Sequence, residues 1–245
     1  MSPAPAVIVT GAAGGIGAAL VEGFERAGWL VVSTDREALP RPRHVVADLA
    51  AFSDPQAADA QALVEALRQH AGGSLRAIVH NAAHQVVAPA ADLRPSDWHE
   101  TLAVNLLAPF WLSLAFLDEL ERNAGSVLAV SSIHERLTKP GFVAYATSKA
   151  ALSGLVRALA VEWGGRVRCN AVCPAAIATP MLLAGFTARP EAYRELESFH
   201  PAGRIGTPQD VAGAALFLCS DAAAFVTGAC LDLSGGIGAR LHDPA

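Results

Sequence analysis

The chain begins its first predicted strand and helix with Ala6-Val7-Ile8-Val9-Thr10-Gly11-Ala12-Ala13-Gly14-Gly15-Ile16-Gly17. The β-branched run at 6–9 predicts a buried strand, and helical spacing continues past the glycine-rich turn to about Arg26. Glycines let the backbone of such a turn approach a pyrophosphate, and the helix N-terminus that follows presents free N–H groups at its positive end. The stretch therefore predicts a βα unit with an anion-binding turn at Gly11, Gly15 and Gly17. A tight turn that binds no ligand is the alternative.

Beyond this unit, short β-branched runs alternate with longer amphipathic stretches along the chain. The further predicted strands are residues 30–34, 44–46, 77–80, 126–131, 167–172 and 229–233. The further predicted helices are residues 55–70, 96–122 with a bend at Pro109, 144–163 and 208–219. This alternation is typical of βαβ units around a parallel sheet, so it predicts an α/β fold.

Composition predicts a single domain over residues 1–245. Hydrophobic residues make up 52% of the 245 and charged residues only 17%, which suits helices and strands packed in layers. No flexible linker or internal repeat divides the sequence. Residues 179–206 depart from the alternation and carry prolines at 180, 190 and 201. Because long insertions in compact domains are usually functional, this segment is predicted to be a lid over a substrate site.

Charge and cysteine content narrow the possible partners. The net charge is −5 and no Lys/Arg cluster occurs, which argues against a nucleic-acid or anionic-membrane partner. No segment reaches the ~18 uninterrupted apolar residues of a bilayer-spanning helix. The four cysteines are Cys169, Cys173, Cys219 and Cys230, and they lack paired metal-ligand spacing. We therefore expect buried reduced thiols, no bound metal and a cytoplasmic protein.

The second predicted strand ends at Asp35, eighteen residues after Gly17. A carboxylate at this place accepts hydrogen bonds from the ribose hydroxyls of a bound dinucleotide and repels a 2′-phosphate. Asp35 therefore favours NAD, with NADP the less expected cofactor. Arg36 keeps the second possibility open because a guanidinium there could meet a phosphate. The alternative for Asp35 is a solvated turn carboxylate.

A possible proton-transfer pair lies in Ala144-Tyr145-Ala146-Thr147-Ser148-Lys149, and Ser132 precedes the tyrosine by thirteen positions. Tyr145 and Lys149 are one helical turn apart, so the ammonium would favour the phenolate. Lowering a phenol pKa from about 10 to a working value of ~7–8 requires ~3–4 kcal/mol. One charge near 4 Å at an effective dielectric of ~20 supplies about 4 kcal/mol. The pair therefore predicts acid–base chemistry, against a chance pairing as the alternative.

These features together resemble the short-chain dehydrogenase/reductase family over about residues 7–236. The resemblance is carried by Thr10-Gly11-x-x-x-Gly15-x-Gly17, Asp48, Asn81-Ala82, Asn105, Ser132, Tyr145, Lys149, Pro174-Ala175-Ala176-Ile177-Ala178-Thr179, Thr227-Gly228 and Gly235-Gly236. The sequence departs from the family pattern at His80 with Ala83, at Ala175 and at Ser234, where Asn with Gly, Gly and Asp are usual.

The resemblance implies a single Rossmann-type doubly wound domain, a seven-stranded parallel sheet flanked by helices on both faces. It implies that Tyr145 exchanges a proton with the substrate oxygen, which Ser132 hydrogen-bonds. Lys149 would lower the tyrosine pKa and hold the nicotinamide ribose, and Asn105 would hold a water linking the lysine to solvent. The implied cofactor-binding residues are Gly11, Gly15, Ile16, Gly17, Asp35, Arg36, Asp48, Leu49, Asn81, Ala82, Tyr145, Lys149, Pro174, Ile177 and Thr179.

We therefore predict an oxidoreductase that transfers a hydride between NAD(H) and a secondary alcohol or ketone of a small polar substrate. His84 and His134 follow the cofactor turn and the catalytic serine, where they could bind that substrate or be solvated loop residues. Relatives of this family commonly form homotetramers through two long helices and the sheet edge, so a homotetramer or homodimer is expected. The alternatives are an NADPH-dependent 3-oxoacyl-type reductase, a non-catalytic nucleotide-binding member and an S-adenosylmethionine methyltransferase.

Overall fold

Seven parallel strands form one sheet in the computed structural model, which describes residues 3–241. The strands are β1 (Ala6–Thr10), β2 (Leu30–Asp35), β3 (His44–Val46), β4 (Leu75–His80), β5 (Ser126–Val130), β6 (Arg168–Pro174) and β7 (Cys230–Leu233). Their spatial order is β3-β2-β1-β4-β5-β6-β7. The predicted doubly wound sheet is thus confirmed. The order reverses between β1 and β4, the place where such sheets open a ligand crevice at their carboxyl ends.

Helices cover both faces of the sheet. They are α1 (Gly15–Arg26), α2 (Ala58–Ala71), α3 (Pro95–Leu102), α4 (Ala108–Ala115), α5 (Leu117–Arg122), α6 (Val143–Glu162), α7 (Pro180–Ala184), α8 (Pro190–Ser198) and α9 (Pro208–Cys219). Apolar faces of α2, α4 and α6 pack on one side of the sheet, and those of α1 and α9 pack on the other. The β1 strand is buried throughout because both layers cover it, which explains its continuous β-branched run.

The prediction of one helix over 96–122 is wrong, because this stretch forms the three helices α3, α4 and α5. A π-helical turn joins α3 to α4. That turn spans Ala103–Leu107, and the Ala108 N–H bonds to the Ala103 carbonyl. Pro109 follows at the start of α4, and as a proline it has no N–H to donate to the carbonyl of residue 105. The chain therefore widens one turn here, and it breaks a second time at Phe116, between α4 and α5.

The segment 179–206 carries helices α7 and α8. Its two ends are held together, since Ile177 pairs with Gly206 in an isolated bridge and the Ala178 N–H donates to the Gly206 carbonyl at 2.8 Å. The segment therefore leaves the sheet and returns at one point, beside the end of β6.

Candidate active site

The glycine-rich turn between β1 and α1 is closely packed against β4. Gly11 has a φ of +67°, and a Cβ there would lie 2.7 Å from the Cα of Ala82. A Cβ at Gly17 would lie only 2.0 Å from the Gly11 carbonyl oxygen. Gly14 precedes α1 without a side-chain cap, and the first turn of α1 contains no acidic residue. The first N–H groups and the positive end of α1 are therefore open to an anion.

Two carboxylates border this turn. Asp35 ends β2, and its Oδ2 accepts from the Ala13 N–H at 2.9 Å while its Oδ1 accepts from the Glu37 N–H at 3.2 Å. Asp48 follows β3 and caps a 3-10 turn, with its Oδ1 accepting from the Ala50 N–H at 2.9 Å. The backbone amides fix the orientation of both carboxylates.

A crevice of about 730 Å³ runs from the turn to the start of α6. The predicted residues that line it are Gly11, Gly15, Ile16, Asp35, Arg36, Asp48, Leu49, Asn81, Ala82, His84, Tyr145 and Thr179. This volume suits a cofactor-sized ligand, since such pockets hold about 300–1,000 Å³. The glycine turn, the open helix end and the carboxylate at the β2 end together fit a dinucleotide with its pyrophosphate on α1.

Four residues predicted to bind the cofactor do not line the crevice, namely Gly17, Lys149, Pro174 and Ile177. Gly17 is buried in the contact between α1 and the turn, where a larger residue has no room. Pro174 ends β6 and is buried with that strand. Ile177 is 5% exposed and belongs to the apolar core under α1 and α9. These residues pack beneath the crevice and do not face it.

Ser132, Tyr145 and Lys149 come together at the ends of β5 and α6. The Lys149 Nζ lies 5.6 Å from the centre of the Tyr145 ring and donates to the Val130 carbonyl at 2.8 Å. Burial raises the pKa of Tyr145 to about 12, and the hydrogen bond with Ser132 acts in the opposite direction. Burial lowers the pKa of Lys149 to about 8, while nearby Cys173 acts to raise it.

In this arrangement burial and Ser132, rather than Lys149, account for the shift in the pKa of Tyr145. The lysine is itself fully buried, so its own charge is costly there, and its Nζ is directed at Val130. Desolvation of the phenolate is the larger effect on Tyr145. The phenol is therefore protonated at neutral pH, which suits proton donation to a developing alkoxide.

Asn105 lies in the π-helical turn and connects two parts of the site. Its Oδ1 accepts from the His84 N–H at 2.7 Å, and its Nδ2 donates to the His84 carbonyl and to the Ser148 Oγ, both at 2.9 Å. The side chain is fully buried. Asn105 thus connects the loop after β4 to Ser148 of α6, which lies three residues after Tyr145. All of these hydrogen bonds use the side-chain amide of Asn105.

His80 fills the first of the positions that depart from the family pattern. It is buried at the end of β4, with its Nε2 2.7 Å from the Ser113 Oγ of α4. Burial lowers the pKa of His80 to about 3, so the imidazole is neutral. The residue joins the sheet to a helix and does not line the crevice.

An aromatic wall flanks Tyr145 and includes a residue that sequence reasoning missed. The His134 and Phe142 rings stack with centres 4.6 Å apart, and His134 meets the Tyr145 ring edge-on at 5.7 Å. Burial lowers the pKa of His134, and the charge of Lys139 acts in the same direction. In the sequence, the only indication of a role for Phe142 is its position three residues before Tyr145. On the crevice side, the His84 Nδ1 lies 3.3 Å from a Glu100 carboxylate oxygen.

Comparison with known proteins identifies the family of the chain. The family described as "Enoyl-(Acyl carrier protein) reductase" matches residues 11–238. Galactitol 2-dehydrogenase (L-tagatose-forming) from Cereibacter sphaeroides is 36% identical, over 93% of this chain and 92% of its own. The 3beta-hydroxysteroid dehydrogenase 1 of Eggerthella lenta is 35% identical, over 94% and 92%. A candidate NAD(P)-dependent gluconate 5-dehydrogenase from Beutenbergia cavernae, solved with NADP at low occupancy, superposes with a TM-score of 0.86 at 35% identity, over 98% and 99%.

The fold and the crevice define a dinucleotide-binding oxidoreductase of the Rossmann class. The chain belongs to the short-chain dehydrogenase/reductase family, and it is an NAD(P)-dependent enzyme that acts on secondary alcohols or ketones. Within residues 3–241, no helix combines the length and the apolar character needed to cross a membrane.

Proposed function

We propose that this enzyme interconverts a secondary alcohol and a ketone on a small polyhydroxylated substrate, with Tyr145 as the proton-transfer group and NAD as the preferred cofactor. The observation that carries the proposal is that Tyr145, which is hydrogen-bonded to Ser132, lines one end of a crevice whose other end is an open anion-binding turn. When bound, the nicotinamide supplies or accepts the hydride.

The protein's part in reduction is to donate a proton and to stabilise negative charge on the substrate oxygen. Tyr145 donates its phenolic proton to that oxygen, and Ser132 donates a hydrogen bond to the same atom. Lys149 would hold the nicotinamide ribose by turning its Nζ from the Val130 carbonyl toward the crevice. In this mechanism Asn105 holds a water molecule that links Lys149 to solvent. The side chain of Asn105 is already bound to His84 and Ser148, so its backbone carbonyl would hold this water. Alcohol oxidation reverses these steps.

The residues that hold the cofactor follow from the crevice. The N–H groups at the start of α1 would bind the pyrophosphate. Asp35 would bind the adenosine ribose, and Asp48 would contact the adenine. Asp35 supports NAD, because its carboxylate would lie against a 2′-phosphate. Arg36 is the group that would favour NADP, and the Beutenbergia cavernae relative was solved with NADP.

A polar substrate is supported by the side chains that face the reacting end. His84, paired with Glu100, and His134 offer hydrogen-bonding groups on two sides of Tyr145. The relatives act, by name, on galactitol and gluconate in two cases and on a steroid in the third. Helices α7 and α8 would close over the substrate as a lid, with Met181 at the crevice edge and 85% exposed.

The same proposal includes the assembly and the compartment. Exposed apolar residues occur on α6 (Val161), before β7 (Phe225) and on β7 (Leu231), which supports association of four copies through two faces. The proposal includes a cytoplasmic location, where the four cysteines would remain reduced.

An NAD-linked screen tests the substrate class. Purified protein would be assayed with sugars and polyols, hydroxy acids, hydroxysteroids and 3-oxoacyl thioesters, each with NAD(H) and with NADP(H). We expect the highest kcat/KM for a polyol or sugar acid with NAD(H). A preference for a 3-oxoacyl thioester with NADPH would replace the proposal with the acyl-reductase alternative.

A further inference from the structure

Two cysteines and a glutamate meet next to the catalytic serine turn, outside the crevice. Cys173 lies on β6 and Cys230 on the neighbouring β7, while Glu135 ends the 3-10 turn that follows Ser132. The two Sγ atoms and a carboxylate oxygen all lie within 4.8 Å of one another. Cys173 is fully buried and the Glu135 side chain is only 7% exposed. The proposed reaction uses none of these three groups.

The cluster brings three acidic groups together, one carboxyl and two thiols. A buried carboxylate beside two sulfur atoms is costly unless a positive group compensates it. The nearest guanidinium to Glu135 is that of Arg136, whose Nε lies 3.5 Å away while its Nη2 donates to Asp232. Arg157 donates from its Nη1 to the Cys230 Sγ at 3.3 Å. A divalent cation would displace the protons of the two thiols to solvent, and the ion together with Arg157 would then balance the three negative charges of two thiolates and a carboxylate.

The strand register argues against a direct disulfide. Cys230 pairs with Ala171 and Cys173 pairs with Asp232, so the two cysteines are offset by two residues on adjacent strands. Such a diagonal pair has Cα atoms about 8 Å apart, given a rise of ~3.3 Å per residue and strands ~4.8 Å apart. A disulfide requires Cα atoms within about 7 Å. A bridging ion spans the larger gap, because ligands of a tetrahedral zinc ion lie about 3.5–3.8 Å from one another at Zn–S ~2.3 Å and Zn–O ~2.1 Å.

We propose that Glu135, Cys173 and Cys230 form a binding site for a thiophilic divalent cation of the zinc type, with the fourth position open to water. Thiolate ligands select such a cation over Mg²⁺ or Ca²⁺, which take oxygen ligands. The Arg157 guanidinium would remain as an outer hydrogen-bond donor to the bound sulfur. Because Glu135 closes the turn after Ser132, the ion would fix that turn to β6 and β7 without touching the substrate. This site revises the expectation, from the cysteine spacing, that the chain binds no metal.

Cobalt(II) titration of the reduced, metal-stripped full chain tests the proposal, since cobalt reports thiolate ligands by absorption. We expect one cobalt per chain with a thiolate-to-cobalt charge-transfer band and the intense visible bands of a tetrahedral ion, both abolished by an excess of Zn²⁺. Cys230→Ser should remove most of the charge-transfer intensity, and Glu135→Gln should weaken cobalt affinity at least tenfold while the band remains. Cys219→Ser, which changes a buried thiol on α9, is the matched control and should leave the titration unchanged.

Three outcomes would overturn the site. One is the absence of a thiolate band in the folded wild-type chain. Another is a band of wild-type intensity in Cys230→Ser and in the Cys173→Ser/Cys230→Ser double variant. The third is a disulfide between Cys173 and Cys230 in the protein as isolated, detected as two missing thiols and one cross-linked peptide pair. Since Cys173 is fully buried and its variant could fail to fold, Cys230→Ser and Glu135→Gln keep the proposal testable.

Discussion

Asp35 is the residue on which cofactor choice rests, and it also supports the turn beside it. Its Oδ2 holds the Ala13 N–H of the phosphate turn, so removing the carboxylate loosens the turn as well as the ribose contact. Loss of this support for the turn should weaken the binding of both NAD and NADP, whereas loss of the negative charge should strengthen only the binding of NADP, which carries a 2′-phosphate. The ratio of the two affinities therefore isolates the electrostatic part.

We expect Asp35→Ala to reduce the preference for NAD over NADP about tenfold, which corresponds to about 1.4 kcal/mol. Dissociation constants from cofactor fluorescence titrations give the ratio directly. Asp48→Ala is the matched control, because it removes a carboxylate on the adenine side and should weaken both cofactors alike. An unchanged ratio in Asp35→Ala would assign the selection to another residue, with Arg36 the first to test.

His80 should make the protein sensitive to acid. Its pKa in the folded chain is about 3 against an ordinary 6.5, so between these values the unfolded chain binds a proton that the folded chain excludes. Stability is therefore complete above pH 6.5 and declines as the pH falls through that window. At pH 5 the loss is about 2 kcal/mol, from roughly 1.5 pH units at about 1.4 kcal/mol each.

We expect His80→Asn to have a flatter dependence of unfolding free energy on pH between 7 and 5 than the wild type, whatever its stability at pH 7. Urea denaturation at several pH values measures this, and His99→Asn, at an exposed position on α3, serves as the control. Parallel curves for His80→Asn and the wild type would show that the imidazole titrates normally in the folded protein.

At the scale of elements, the glycines of α1 and α9 show how the same substitution has opposite effects. A Cβ at Gly17 would overlap the Gly11 carbonyl oxygen, whereas a Cβ at Gly213 on α9 meets nothing within 4 Å. We expect Gly17→Ala to destabilise the chain by about 3 kcal/mol or more through overpacking and to lose cofactor binding. Gly213→Ala should stabilise the protein by about 0.5–1 kcal/mol, because alanine is the better helix former.

Thermal unfolding and NADH titration of the two alanine variants separate these effects. Equal stability of the two variants, with cofactor binding intact in Gly17→Ala, would mean that the turn is looser than its geometry indicates.

Sequence patterns predicted the elements whose periodicity is local. The strands around β1 and the helix α9 follow from continuous apolar runs and helical spacing, and the predicted bounds 208–219 match α9. Pro109 predicted a bend near the π-helical turn, but the form of the turn was not predictable, because Asn105 also bonds to His84, twenty-one residues earlier. The meeting of Cys173 with Cys230 depends on the register of β6 with β7, and cysteine spacing along the chain carries no information on that.

The same limit applies to the electrostatics of the site. The spacing of Tyr145 and Lys149 placed both on one face of α6, but the direction of the tyrosine pKa depends on burial, which the pair itself does not reveal. Helical spacing therefore predicted that Tyr145 and Lys149 are neighbours, but their pKa values depend on the surrounding core.

At the scale of the whole molecule, two separate apolar surfaces are candidates for association. Val161 at the end of α6 is 86% exposed, and Phe225 before β7 is fully exposed. We expect a tetramer in solution, and we expect Val161→Asp and Phe225→Asp each to yield dimers because each charge disrupts one face. Light scattering after size-exclusion chromatography measures the mass. A monomeric wild type, or a tetramer in both variants, would contradict the two-face assembly.

The most direct test of the account is single-turnover hydride transfer in Tyr145→Phe, followed by cofactor absorbance. We expect the rate to fall by about 10²–10⁴, the usual contribution of a general acid–base group, with NADH affinity nearly unchanged. In the wild type, alcohol oxidation should accelerate with rising pH because the phenol, with its pKa raised to about 12, must lose its proton. Tyr193→Phe removes the only other tyrosine hydroxyl and should keep this pH dependence. Hydride transfer at the wild-type rate in Tyr145→Phe would contradict the assignment of Tyr145 as the proton-transfer group.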